Sequence, residues 1–300
     1  VIPIKTRFVK NKNDFTKDTD VIDHVDELPI PDFGVVDIKN YYKYGILSAA
    51  QTVSYDTPLA TMQTVRGCTA RCTFCSVRNF NGKGVRAKSV QTVIDELKGL
   101  KENYGINHIT WLDDDLLFDR DRTLNLFNEI IRNNLNVTWD ASNGLIASAT
   151  VAHPELIDAA EKSGCIGAYF GIESGNEYMR NVIMEREQSL EDIYKTTELF
   201  RKYGIRFLTE NVLGGPGETF DMAMETLMVN VKVKPIVANA SIFAPYPGMK
   251  MSQIAKDKGY YDGDFDKLDN SYYASSILKF DNPEDENKIY NLRCFFSLLT

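Results

Sequence analysis

Short runs of β-branched and aromatic residues alternate with longer amphipathic segments from residue 59 onward. The short runs predict strands, and the longer segments, in which apolar residues recur at helical spacing, predict the helices between them. The predicted strands span residues 59–65, 109–112, 137–141, 167–172, 207–213 and 238–243, and the predicted helices span residues 90–104, 122–133, 154–163, 190–203 and 220–231.

Repeated strand–helix units predict an α/β fold in which parallel strands are joined by right-handed crossovers. Six units rather than eight indicate a partial, TIM-like (β/α)6 barrel over residues 58–250. Residues 1–57 are predicted to form an amino-terminal extension or linker, and residues 251–300 a mostly helical carboxy-terminal extension. Active sites of such barrels form at the carboxyl ends of the strands, so the residues after each strand are the candidates for chemistry.

The bulk composition narrows the classes of function. A chain of 300 residues with 43% hydrophobic residues can bury a large core. Its formal net charge of -8 argues against a nucleic-acid-binding surface, which requires clustered lysine and arginine. No apolar run approaches the roughly 18 residues that span a bilayer, and no signal-peptide pattern begins the sequence. We expect a cytoplasmic protein without a membrane span or a nucleic-acid partner.

Three of the five cysteines lie close together, at positions 68, 72 and 75. Three thiolate ligands leave one coordination position open, whereas closed zinc sites and ferredoxin-type iron–sulfur clusters use four protein ligands. Two other interpretations are a buried helix face, which the i, i+4, i+7 spacing also suits, and a zinc site. Few apolar residues surround the cysteines, which argues against a buried helix face, and no second Cys or His pair is present to complete a zinc site. The triad therefore favours a metal centre with chemistry at its open position.

The pattern Cys68-x3-Cys72-x-Phe74-Cys75 resembles the signature of radical S-adenosylmethionine (radical SAM) enzymes. The resemblance implies that Cys68, Cys72 and Cys75 hold a 4Fe-4S cluster, that S-adenosylmethionine chelates the fourth iron, and that Phe74 lies beside the cofactor. It also implies the same partial barrel, a small-molecule substrate and a flavodoxin- or ferredoxin-type reductant. One electron would then cleave the sulfonium to methionine and a 5′-deoxyadenosyl radical.

The resemblance covers roughly residues 59–250 and extends to the fourth and fifth strands. The run Tyr169–Gly175 matches a family motif in which Glu173 and Ser174 would contact the ribose and amino-acid portions of S-adenosylmethionine. A strand end followed by a helix cap explains the same residues without a ligand.

The run Asn211–Glu218 looks like the family's fifth-strand motif, Gly-x-Ile-x-Gly-x-x-Glu, which lines the adenine. The resemblance places Gly215 and Glu218 in the cofactor site. Asn211 and Leu213 replace the first glycine and the isoleucine of the motif, which weakens the match. A glycine–proline turn that opens a helix is the alternative interpretation.

Charged residues supply the remaining predicted contacts. Arg186 lies where relatives place a basic residue that pairs with the carboxylate of S-adenosylmethionine, and a surface ion pair is its alternative role. Asp113 and Asp114 resemble the Asp-Asp pair that follows the second strand in the cobalamin-linked subgroup, so they are candidates for the amino group of the ligand. Solvation of the strand end or helix capping explains them equally well.

Residues 26–33 resemble the linker that joins a cobalamin-binding domain to the barrel in that subgroup. The sequence contains no Asp-x-His-x-x-Gly cobalamin motif, begins without Met and ends on an apolar segment. We therefore expect a fragment of a longer polypeptide, with cobalamin bound by a domain outside this chain. Methyl transfer or a ring modification would then be the reaction.

Two further functions compete with this interpretation. An electron-transfer or structural iron–sulfur protein requires a fourth ligand from Cys165 or Cys294, yet Cys165 precedes the fourth strand and is predicted to lie at the opposite end of the barrel. A methylthiotransferase acting on tRNA is expected to have a second cysteine triad and a basic carboxy-terminal module. Neither feature is visible in the sequence.

Overall fold

The computed structural model describes residues 22–43, 57–82, 84–268 and 276–300. Its strands are β1 (Leu59–Met62), β2 (Val65–Arg66), β3 (Arg86–Ala87), β4 (His108–Trp111), β5 (Thr138–Leu145), β6 (Cys165–Glu173), β7 (Arg206–Leu213) and β8 (Val237–Ile242). Its helices are α1 (Ile38–Lys43), α2 (Val77–Asn81), α3 (Val90–Tyr104), α4 (Arg120–Arg132), α5 (Ala147–Ala152), α6 (Pro154–Lys162), α7 (Leu190–Lys202), α8 (Phe220–Val233), α9 (Lys250–Asp257) and α10 (Pro283–Phe295), and Tyr178–Ile183 forms a π-helix.

One parallel sheet organises the fold, with the strand order β1-β4-β5-β6-β7-β8. Helices connect the consecutive strands of this sheet, which confirms the predicted α/β fold with parallel strands. Within the described residues β1 and β8 do not pair, so the barrel is incomplete, as predicted. β2 and β3 form a separate antiparallel pair.

Two strands near the site differ from their predicted bounds. The first strand ends at Met62 instead of residue 65, because the chain leaves the sheet and pairs Val65 with Ala87. β5 continues to Leu145 instead of ending at residue 141, with a register shift against β6 between Ala141 and Leu145. A bulge of this kind depends on the partner strand, so hydrophobic periodicity does not reveal it.

The two faces of the sheet differ in polarity. One face packs against the helices, where Trp139 stacks on Phe127 with ring centroids 5.2 Å apart and meets Trp111 edge-on at 6.3 Å. The other face carries polar side chains, including Tyr169 and Glu210, that line an interior cavity. Barrels of this type are ordinarily filled by branched apolar residues, so polar side chains here favour a ligand-binding interior.

A second apolar cluster joins α9 to the π-helix through Met251 and Met179. The N–H of Met251 also donates to the carbonyl of Thr73 at 3.0 Å, so α9 packs against the cysteine segment. Residues 1–21, 44–56 and 269–275 of the predicted terminal extensions lie outside the described residues, and the domain boundaries stay predictions. None of the described helices has the length and apolar character needed to cross a bilayer.

Candidate active site

The cysteine loop, residues 67–76, runs from the end of β2 to the start of α2. Gly67 opens the loop with a φ of +90°, and any side chain there would collide with the carbonyl of Gly84, so the position requires glycine. Thr73 anchors the middle of the loop. Its hydroxyl donates to the carbonyl of Ile183 at 2.7 Å, and its N–H donates to the carbonyl of Met184 at 3.0 Å. The loop is thereby fixed against the segment that follows β6.

Three consecutive aspartates follow β4, and each accepts hydrogen bonds from a different part of residues 64–69, which lead into and begin the cysteine loop. We call Asp113, Asp114 and Asp115 the aspartate ladder. Asp113 accepts hydrogen bonds from the N–H and hydroxyl of Thr64 and, at 2.9 Å, from the N–H of Val65. Burial raises the pKa of Asp113 to about 6, and these hydrogen bonds oppose the rise. Asp113 therefore positions the chain between β1 and β2.

The other two members of the ladder hold the loop itself. Asp114 Oδ2 accepts a hydrogen bond from the N–H of Gly67 at 2.7 Å. Asp115 Oδ2 accepts hydrogen bonds from the N–H of Thr69 at 3.2 Å and from its hydroxyl at 2.6 Å. Because Thr69 directly follows Cys68, Asp115 fixes the backbone beside the first cysteine.

A cavity of about 310 Å³ opens beside the cysteine loop, at the carboxyl ends of β5 and β6. Most of the site residues predicted from the sequence line this cavity, namely Cys68, Cys72, Phe74, Cys75, Asp114, Glu173 and Arg186. The remaining lining includes Ser142–Ile146 at the end of β5, Tyr169 of β6 and Glu210 of β7. Three sulfur ligands and several charged groups therefore share one interior space.

Glu173 and Arg186 form an ion pair in the cavity wall. Their Oε1 and Nη2 atoms are 3.9 Å apart, and both side chains are largely buried. Arg186 Nη1 also lies 3.3 Å from the sulfur of Cys72. Burial raises the pKa of Glu173 to about 7, while the Arg186 guanidinium opposes the rise and Glu210 adds to it. The pair offers a ligand an anion-binding group and a hydrogen-bond acceptor side by side.

Left-handed backbone conformations direct both side chains of this pair. Glu173 has a φ of +65° at the register shift between β6 and β7. Glu185 and Glu187, which flank Arg186, have φ values of +48° and +53°. Gly171 makes room for the pair, because any side chain there would collide with the Glu173 carboxylate. A left-handed conformation at a residue other than glycine lowers the stability of the fold by about 1–3 kcal/mol, and such residues concentrate at functional sites.

The cysteine side chains fit the ligand set of an iron–sulfur cluster. Burial, followed by the Asp115 carboxylate, raises the pKa of Cys68 to about 12, and burial also raises the pKa of Cys75. A bound metal centre supplies the positive charge that deprotonates such thiols. No three His, Cys, Asp or Glu side chains in the described parts of the chain converge on a single-ion site. Three thiols that lie on one loop and line one cavity are the type of donor that iron–sulfur clusters use.

Four residues predicted to touch the cofactor lie outside the cavity lining, namely Asp113, described above, and Ser174, Gly215 and Glu218. Ser174 is fully buried, and its hydroxyl lies 3.4 Å from the hydroxyl of Thr226 in α8. Glu218 Oε2 accepts a hydrogen bond from the N–H of Gly215 at 3.0 Å, and burial raises the Glu218 pKa to about 7. These contacts position the segments after β6 and β7. Direct contact of the four residues with a ligand stays a prediction.

The two other cysteines lie away from the triad. Cys165 is the first residue of β6, at the amino end of the strand and opposite the cavity. It is buried, and its thiol donates to the carbonyl of Gly167 at 3.6 Å. Cys294 is exposed on α10. Neither residue lines the cavity, so the structure does not place a fourth cysteine beside the triad, as the electron-transfer alternative requires.

Sequence reasoning did not anticipate Glu210 or the role of Asp115. Glu210 lies inside β7, whereas the placement rule for such barrels predicts functional residues after the strands. A charged residue at an inward position of a strand is the signal that could have identified it. The role of Asp115 depends on its hydrogen bonds with Thr69. These two residues are 46 positions apart, so the contact is not visible in the local sequence.

Comparison with known proteins agrees with this arrangement. The model of the Radical SAM superfamily matches residues 62–228, more than half of the chain. The chain is 30% identical over 238 residues to an uncharacterized methyltransferase of Pyrococcus horikoshii, a match that covers 78% of this chain and 48% of that protein. It is 25% identical over 281 residues to the cytidylyl-2-hydroxyethylphosphonate methyltransferase of Streptomyces wedmorensis, covering 91% and 51%. The chain spans about half the length of these curated relatives.

The fold also resembles a solved structure. The radical S-adenosylmethionine methyltransferase TsrM from Kitasatospora setae, solved with cobalamin and a 4Fe-4S cluster bound, superimposes with a TM-score of 0.58. The match covers 67% of this chain and 40% of that chain at 22% identity, so it concerns the fold. The superfamily match includes the cysteine loop, the aspartate ladder, Glu173 and Arg186. The chain belongs to the radical SAM superfamily, whose members use a 4Fe-4S cluster and S-adenosylmethionine.

Proposed function

We propose that this chain is the catalytic core of an enzyme that holds a 4Fe-4S cluster through Cys68, Cys72 and Cys75 and cleaves S-adenosylmethionine reductively. The observation that carries the proposal is that these three sulfur ligands share one cavity with Glu173 and Arg186. Three protein thiolates leave one iron open for a non-protein ligand. A cluster held by these cysteines would supply the electron that breaks a carbon–sulfur bond of the sulfonium, and a flavodoxin- or ferredoxin-type protein is the proposed donor of that electron.

The chain's own residues would bind and orient S-adenosylmethionine. Arg186 presents a planar fork of donors that suits a carboxylate. Glu173 and Asp114 can accept hydrogen bonds from an ammonium or a hydroxyl, and Phe74 offers an apolar surface. Burial of the Glu173–Arg186 pair keeps water away from these groups, which strengthens their electrostatic interactions with the ligand.

The finer proposal is a methyl transfer that depends on cobalamin. Both relatives described above are named methyltransferases, and TsrM carries cobalamin together with its cluster. Because residues 1–300 contain no Asp-x-His-x-x-Gly motif, the proposal requires cobalamin from outside them. A polypeptide that carries a cobalamin-binding domain together with residues 1–300, reconstituted with cluster and cobalamin, tests this step, and S-adenosylhomocysteine is the product that reports methyl transfer.

Anaerobic reconstitution with iron and sulfide, followed by reduction with S-adenosylmethionine, tests the central proposal. We expect cluster absorbance and release of 5′-deoxyadenosine. Cys68→Ser, Cys72→Ser and Cys75→Ser should each abolish both signals, whereas the matched control Cys165→Ser should keep them, because Cys165 lies at the amino end of β6, opposite the carboxyl end where the cavity opens. A wild-type cluster that cleaves no S-adenosylmethionine, under conditions where a relative is active, would favour the electron-transfer function.

A further inference from the structure

Glu210 lies one strand beyond the Glu173–Arg186 pair on the inner face of the sheet. The register places Glu210 opposite Gly171 of β6 on one side and opposite Asn239 of β8 on the other. Registered residues of neighbouring strands point to the same face, and Gly171 contributes no side chain to this row. The Glu173–Arg186 pair occupies the space over Gly171, and Glu210 lines the cavity next to this pair.

One oxygen of Glu210 is held and the other is free to bind. Asn239 Nδ2 donates to Glu210 Oε1 at 2.8 Å, which orients the carboxylate. Glu210 Oε2 has no hydrogen-bond donor, and the side chain has no ion-pair partner, in the parts of the chain that the structure describes. Partial burial disfavours the charged carboxylate and raises its pKa. A carboxylate in this setting gains most from a ligand that brings a positive charge.

The cavity lining holds two arginines, Arg78 of α2 and Arg186, and three acidic residues, namely Asp114, Glu173 and Glu210. The guanidinium of Arg186 is already engaged by Glu173 and by the sulfur of Cys72. The Glu210 carboxylate disfavours ionisation of Glu173 and so adds to the rise in the Glu173 pKa. An ammonium group beside Glu210 would relieve this repulsion, whereas a neutral hydroxyl would only add a hydrogen bond.

We propose that Glu210 and Asn239 form a substrate subsite that binds a protonated primary amine of a small molecule, next to the site for S-adenosylmethionine. This inference rests on the proposed function and adds the chemical class of the substrate. In this arrangement Asn239 holds the carboxylate, and Glu210 pairs with the ammonium inside the cavity that it lines. Glu210 is then the residue that determines specificity for an amine.

Equilibrium dialysis of the reconstituted, unreduced chain with S-adenosylmethionine tests the subsite without turnover. The probes are a panel of small primary amines, each paired with its N-acetyl derivative, and retention is measured by mass spectrometry. We expect the wild-type chain to retain at least one amine about tenfold or more over its acetylated partner, which corresponds to about 1.4 kcal/mol. Glu210→Gln should lose this preference. Glu210→Asp, which keeps the charge, should retain part of it.

The matched control is Glu102→Gln, because Glu102 is exposed on α3 and lies outside the cavity lining. This variant should keep the full amine preference. Equal retention of each amine and its acetylated partner by the wild-type chain, or an undiminished preference in Glu210→Gln, overturns the proposal. Cleavage of S-adenosylmethionine is scored in the same preparations. Normal cleavage without an amine preference counts against the subsite alone, whereas an amine preference without cleavage counts against the proposed function alone.

Discussion

The carboxylate of Asp115 accepts two hydrogen bonds from Thr69, the residue that directly follows Cys68. The same oxygen lies 3.9 Å from the Cys68 sulfur, and Asp115 is almost completely buried. One side chain that follows the second sheet strand, β4, therefore fixes the backbone beside Cys68, a proposed cluster ligand that is remote in sequence. Contacts of this kind orient ligands before the metal binds.

Replacing Asp115 by alanine should weaken cluster binding about 10- to 100-fold, because the ligand loop loses its anchor. Iron and sulfide content after challenge with a chelator measures the effect. Asp115→Asn, which keeps an acceptor for the Thr69 N–H, should show an intermediate loss. The control is Asp121→Ala on α4, which changes an exposed aspartate outside the cavity. Wild-type chelator resistance in Asp115→Ala would refute the anchoring role.

The Glu173–Arg186 pair should show strong energetic coupling. Arg186→Ala leaves the buried Glu173 carboxylate without its cation, and we expect a loss of about 3 kcal/mol in the free energy of unfolding. The double variant Glu173→Ala/Arg186→Ala should lose clearly less than the sum of the two single variants. Urea unfolding under anaerobic conditions measures the free energy of unfolding of the cluster-free wild type, the two single variants and the double variant. Additive losses would show that the two side chains do not interact.

Glu218 should make stability fall as the pH rises through neutrality. Burial raises the pKa of Glu218 from its ordinary value of 4.5 to about 7, so the folded state holds the proton more tightly than the unfolded state. Stability from this group is fully present below the unfolded pKa and is lost as the pH passes the folded one. Glu218→Gln should remove this loss, on the order of 2–3 kcal/mol by pH 8.

Urea unfolding of wild type and Glu218→Gln between pH 5 and 8 checks the expectation. The difference in unfolding free energy should grow with pH in favour of the glutamine variant. Glu102→Gln on α3, an exposed substitution of the same type, should run parallel to wild type. Parallel curves for Glu218→Gln as well would mean that Glu218 titrates normally in the fold.

Two glycines after the strands should differ in their tolerance of alanine. A Cβ on Gly215 would meet the terminal methyl groups of Met179 at 2.6 Å and Met251 at 2.8 Å, whereas a Cβ on Gly175 would collide with the backbone of Glu225 in α8. Flexible methionine ends can move, so Gly215→Ala should cost about 1–3 kcal/mol. Gly175→Ala should cost more, because a helix backbone cannot give way. Thermal unfolding ranks the pair, and the reverse order would contradict this reasoning.

Much of the fold follows from local patterns in the chain. The helix predicted over residues 90–104 is observed with those bounds, because Ser89 caps its first turn and Gly105 ends it in a left-handed conformation. The six sheet strands are likewise visible as short apolar runs between amphipathic segments. The end of β5 is not predictable in this way, since its register shift depends on the neighbouring strand β6.

Sequence by itself determined which three thiols are proposed as metal ligands, because the spacing of Cys68, Cys72 and Cys75 is a local property of one loop. Only the tertiary structure decided which acidic groups serve that loop and which face the cavity. Asp113 is adjacent to Asp114 yet lies outside the cavity lining, whereas Glu210, nearly a hundred residues further on, lies within it. The physical reason is that strand register and hydrogen-bond donors from distant segments set the direction of each side chain, and neither is encoded in the order of neighbouring residues.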